Sequence, residues 1–64
     1  MKRYFYFDGS LKEAPPALKE TPAIKSHVAC HGALYEVVEV LYKLEKKEVI
    51  ITLFEIKRLE YGGK

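Results

Sequence analysis

His27, Cys30 and His31 are the only cluster of soft or titratable ligands in this 64-residue chain. On a helix, His27 and His31 at i,i+4 share a face and could grip one metal ion. On a strand, at ~3.3 Å rise per residue, they sit about 13 Å apart, too far for a shared ion. The strand reading reached below therefore makes Cys30 a small core hydrophobe and sets both histidines at the edge of a turn. A Cys–His nucleophile pair is formally available, but nothing in the sequence orients the histidine or builds an oxyanion hole. Glu36, Glu39, Glu45, Glu48, Glu55 and Glu60 are spread among lysines. A catalytic carboxylate pair needs one member in an apolar or like-charged pocket. These glutamates have basic neighbours instead, so they read as solvated surface. Gly9 and Gly32 stand alone and Gly62-Gly63 is followed only by Lys64, so no phosphate-cradling loop is read from the sequence. The expectation is a protein with no catalytic residues, metal or cofactor.

A second group is more suggestive. Lys2, Tyr4 and Tyr6 alternate, which on a strand puts them on one face. Single-stranded nucleic-acid binders use such platforms, because bases stack on aromatic rings and basic residues follow the backbone. Tyr35, Lys57 and Arg58 could extend the surface if their strand lies alongside. The plainer reading is cross-strand aromatic packing. A formal charge of +2, from 11 basic and 9 acidic residues, favours it, since dedicated nucleic-acid binders concentrate more positive charge.

The elements that must position these residues are mostly strands. Lys2 to Phe7 is aromatic and is closed by Asp8-Gly9, a pair suited to the positive φ angles of a tight hairpin turn. It places Phe5 and Phe7 opposite Lys2, Tyr4 and Tyr6. Residues 8–23 read as a Pro-rich arm or loop inside the domain, because Pro15, Pro16 and Pro22 remove donors and fix φ. Ile24 to Cys30 alternates as a strand, with His31-Gly32 as a turn. Residues 33–45 carry a helical apolar stripe (Leu34, Val37, Val38, Leu41 and Leu44) that would give an α+β fold. Against a helix stand Val37, Val38, Val40, two tyrosines and the lack of caps. Val49 to Phe54 is a clear strand. A hairpin about Lys46-Lys47 would oppose Leu44 to Val49, Tyr42 to Ile51, Val40 to Leu53 and Glu36 to Lys57.

Tyr35-Glu36-Val37-Val38-Glu39-Val40, Tyr42-Lys43-Leu44-Glu45 and Glu48-Val49-Ile50-Ile51-Thr52 together resemble the paired strands of small SH3-like β-proteins, which are common among phage and prophage products. The resemblance covers roughly Ser26 to Lys57 and rests on pattern, with no diagnostic motif. It implies a small barrel or bent sheet and an accessory or inhibitory role in a mobile element, exerted by occluding a protein target. No functional residue is carried over from it.

The expected fold is thus mainly β: a small antiparallel sheet or SH3-like barrel of three to four strands with an N-terminal Pro-rich arm, residues 1–64 forming one domain. With 48% hydrophobic and 31% charged residues the chain is too apolar for disorder. Burying about 6,500 Å² yields roughly 100 kcal/mol, whereas ordering the chain costs about 96 kcal/mol. So thin a margin calls for a staple. One cysteine cannot form an internal disulfide, which leaves self-association. The hairpin is also apolar on both faces. One face suffices for a core, while Tyr35, Val37, Leu41, Ile50, Phe54 and Ile56 remain for an interface. The leading expectation is a non-enzymatic interaction module forming a homo-oligomer, most simply a dimer. A single-strand nucleic-acid binder using Lys2, Arg3, Tyr4, Tyr6 and Arg58 is the alternative. No stretch approaches a membrane span. A single thiol and no targeting segment point to the reducing cytoplasm of a cell or infected host.

Overall fold

A computed structural model describes residues 1–59; Glu60 and Gly62-Gly63 lie outside the described residues. Five strands, and no helix among those residues, form one mixed sheet. They are β1 (Lys2–Phe7), β2 (Ser10–Glu13), β3 (His27–Cys30), β4 (Ala33–Lys43) and β5 (Glu48–Arg58), in the spatial order β2-β1-β5-β4-β3. The mainly β expectation holds. The helix considered at 33–45 does not form: the Val- and Tyr-rich segment is strand from Ala33 to Lys43 and then enters a turn. The sheet has five strands rather than three or four, and it is open rather than closed into a barrel. It is also not purely antiparallel, since β1 pairs parallel with β5, Lys2 opposite Glu48 and Tyr6 opposite Thr52.

Two hairpins close as their residues dictate. Asp8 and Gly9 have φ of 51° and 70°, and His31 and Gly32 have 51° and 75°. Positive φ at both central residues is the geometry of a two-residue turn matched to strand twist. The β4–β5 connection differs. Lys46-Lys47 cannot cheaply place two side-chain-bearing residues at positive φ, so the chain turns over Leu44–Lys47, with only Lys47 at φ 57°. Tyr42 therefore opposes Val49, and Val40 opposes Ile51. The register is two residues from the expected one, which preserves the faces near the turn. Two β-bulges change them farther along. Val38 is extra in β4, between the pairs Val37–Leu53 and Glu39–Thr52. Ile56 is extra in β5, and Leu34 rather than Glu36 meets Lys57.

The core lies on one concave face and consists of Phe5, Phe7, Ala33, Tyr35, Val37, Val49, Ile51 and Leu53. The Phe7 ring sits 5.0 Å from that of Tyr35, although β5 runs between their strands, and 5.2 Å from His31. These contacts require a strongly curled sheet. The Pro-rich segment covers the concavity. Its first residues are not a loop but β2, paired with β1 from Phe7–Ser10 to Tyr4–Glu13. Residues 14–26 then pass from the β2 edge to the β3 edge, turning where the Leu18 amide donates to the Pro15 carbonyl. Ala14 and Leu18 pack on the core. Arg3 holds this strap through Nε, which donates to Thr21 Oγ1 at 2.9 Å, and through its carbonyl, which accepts from Ala14. At the far end the Lys25 amide donates to Val37, and the Val37 amide donates to Ser26.

Candidate interaction surface

The expected ligand cluster stays dispersed. His27 is exposed in β3, Cys30 ends that strand half-buried against the core, and His31 occupies the following turn. Burial raises the Cys30 thiol above its ordinary range, so the reactive thiolate is disfavoured. Among the described residues no group of three or more His, Cys, Asp or Glu is placed to hold a metal ion. No helix among them is long and apolar enough to cross a membrane.

The nucleic-acid set is divided between the faces. Tyr4 and Tyr6 lie on the convex side with Lys2, as the alternation requires. Arg3 points the other way, committed to Thr21. Arg58 lies at the far end of β5, its Nε 3.4 Å from Glu55 Oε2. Tyr35 is in the core, its hydroxyl held above its ordinary value first by burial and then by the negative charges of Asp8 and Glu55.

The interface set is divided as well. Tyr35 and Val37 are not available for contact, being 2% and 0% exposed. The bulge at Val38 accounts for this, because one inserted residue reverses the facing of everything N-terminal to it in β4. Leu41, Ile50 and Phe54 do lie on the convex face, and Ile56 is exposed at the second bulge. The register brings them beside the aromatic strand. Glu13, Tyr4, Ile50 and Leu41 form one row across four strands, and Leu11, Tyr6, Thr52 and Glu39 form the next. Phe54 and Glu36 follow, joined by His27. Parts of two residue sets that the sequence suggested for different purposes, Lys2, Tyr4 and Tyr6 from one and Leu41, Ile50 and Phe54 from the other, thus share one surface. Leu11 belongs to it too; reading Ser10–Glu13 as a loop concealed this, although Asp8-Gly9 already signalled a hairpin whose second strand would begin at Ser10.

No solvent-shielding element covers this face among the described residues. Phe54 is 64% exposed and Leu41 49%. The charges around the apolar rows are nearly balanced, Lys2, Lys43 and Lys57 against Glu13, Glu36, Glu39 and Glu48. No protein-family model, curated protein or solved structure matches the chain.

Proposed function

We propose that this protein is a non-enzymatic interaction module that self-associates, and that the convex face carrying Tyr4, Tyr6, Leu11, Leu41, Ile50 and Phe54 is its contact surface. The observation that carries the reading is the solvent exposure of Phe54, Leu41 and Tyr6 on one face that no described residue covers. Contiguous apolar patches of several hundred Å² on a small soluble chain mark interaction sites. The mixed charges suit a second copy, since each copy offers both signs to the other. They suit a polyanion poorly: glutamates stand directly opposite Lys2 and Tyr4, where a single-strand binder needs a positive groove.

Light scattering coupled to size exclusion tests the reading. The expected mass is at least about twice the 7.4 kDa of one chain, steady in high salt because apolar contacts are not screened. Replacing Tyr6 and Phe54 together by Ser lowers that mass while the fold persists. A folded double variant with unchanged mass would remove this face as the contact.

A further inference from the structure

The outer edge of β4 is a second candidate contact, which shares only Leu41 with the convex set proposed above. Its first half is flanked by β3 and then by Lys25 and Ser26, both bonded to Val37. Beyond Val37, nothing among the described residues pairs with that edge. The free stretch Val38–Lys43 is rich in β-forming residues, and it carries exposed apolar side chains: Val38 44%, Leu41 49% and Tyr42 55%, with Leu44 at 69% just after it. Unpaired, extended and apolar is the combination that natural edge strands avoid unless something pairs with them.

The direction of its backbone groups follows from Val37. Both its N–H and its C=O point outward, to Ser26 and Lys25. Val40 and Tyr42 share the concave face with Val37, opposite Ile51 and Val49. Along one strand, residues on the same face direct their backbone groups to the same side. Val40 and Tyr42 therefore present outward donors and acceptors, while Glu39, Leu41 and Lys43 turn theirs toward β5.

We propose that two copies of this chain pair antiparallel along this edge, about a two-fold axis at Leu41. In that register Leu41 meets Leu41 of the second copy at a close, non-hydrogen-bonded position. Val40 meets Tyr42 of the second copy as a hydrogen-bonded pair that exchanges both backbone bonds. Glu39 meets Lys43, twice by symmetry, and Val38 meets Leu44. Every exposed apolar residue of the edge gains an apolar neighbour, and every charge gains its opposite. The neighbouring registers fail. A slip of one residue puts concave-face residues against convex-face ones. A slip of two sets Leu41 against Glu39 or Lys43 and leaves no ion pair. The contact is isologous and closes on itself, the commonest symmetry of small oligomers. This inference shares the self-association reading but assigns it a different surface, a backbone edge instead of a side-chain face.

The tests separate the two surfaces. Tyr42→Pro deletes an N–H that faces solvent in the single chain, a position where an edge strand tolerates proline. The variant stays folded by circular dichroism, and its solution mass falls to half that of the wild type. Glu39→Lys alone and Lys43→Glu alone each place like charges opposite one another and raise the dissociation constant about tenfold or more. Glu39→Lys with Lys43→Glu restores the wild-type value. A folded Tyr42→Pro variant of unchanged mass overturns edge pairing, as does a double charge swap no better than its singles. The swap decides the matter by itself if the proline variant does not fold. Should Tyr42→Pro leave the mass unchanged while the Tyr6 and Phe54 replacement lowers it, the edge proposal fails and the face survives. A wild type that stays at one chain's mass at high concentration overturns both.

Discussion

Tyr35 and Tyr42 stand on the same strand and the same concave face of the sheet, yet one is 2% exposed and the other 55%. Between them lies the bulge at Val38. Before it, β4 is held on both sides, by β5 and by β3 with its short extension at Ser26, and its inward residues Ala33, Tyr35 and Val37 are core. After it, β4 keeps only β5, runs out past the strap, and lifts Tyr42 toward the hairpin tip. Burial is thus set by how many neighbours a strand segment has, and not by residue type, since the exposed half is as apolar as the buried one.

The severest way to break this comparison is to delete Val38. Removing the inserted residue moves Ala33, Tyr35 and Val37 to the convex face in exchange for Leu34 and Glu36. The deletion variant is expected to lose cooperative unfolding altogether, read by circular dichroism in urea; a native-like transition would show that the bulge does not set the facing. A milder contrast substitutes the two tyrosines. Tyr35→Ala should cost about 3–5 kcal/mol, as for other buried aromatic rings. Tyr42→Ala, measured at a dilution where copies separate, should change stability by no more than about 0.5 kcal/mol. Equal losses from urea midpoints would refute the division of the strand.

The smallest effect concerns the Tyr35 hydroxyl. Burial and the nearby Asp8 and Glu55 raise its pKa from the ordinary 10.0. The folded chain keeps a proton there that the unfolded chain releases near pH 10, so its contribution is intact below that pH and is lost as pH climbs through the raised value. Tyr35→Phe, with no such proton, should show a shallower fall in urea midpoint as pH rises above the ordinary tyrosine value of 10.0. Parallel slopes for the two proteins would mean that the hydroxyl is not perturbed.

Much of this architecture is legible in local sequence. Asp8-Gly9 and His31-Gly32 announce their turns because positive φ has few suppliers, and the alternation of Lys2 to Phe7 sorts its side chains correctly. Val49, Ile51 and Leu53 are core for the same reason. The failures are of three kinds: non-local pairing, a single inserted residue, and local signals that name a place but not a conformation. A bulge leaves no composition signal, so period-2 reasoning carried Tyr35 and Val37 onto the wrong face. Lys46-Lys47 named the turn's place but not its length. Nothing near Lys2 foretells a parallel partner at Glu48, and prolines at 15, 16 and 22 obscured the short strand before them. The convex surface was partly readable: Leu41, Ile50 and Phe54 were found from one hairpin, Tyr4 and Tyr6 from another strand. Their adjacency depends on the β1–β5 pairing.

That pairing also fixes an order of events. Lys2 docks on Glu48 and Phe5 on Ile51, residues far apart in the chain, so the core cannot assemble until nearly all of it is available. During synthesis the β1–β2 hairpin emerges before the rest of the sheet and must wait, its Phe5 and Phe7 unsheltered, while the strap and the three later strands are made. Contacts of such long range slow folding relative to local ones. The sheet order therefore sets a clock: the last of the five described strands to appear is the central one, and its arrival turns two separate hairpins into a single cooperative unit.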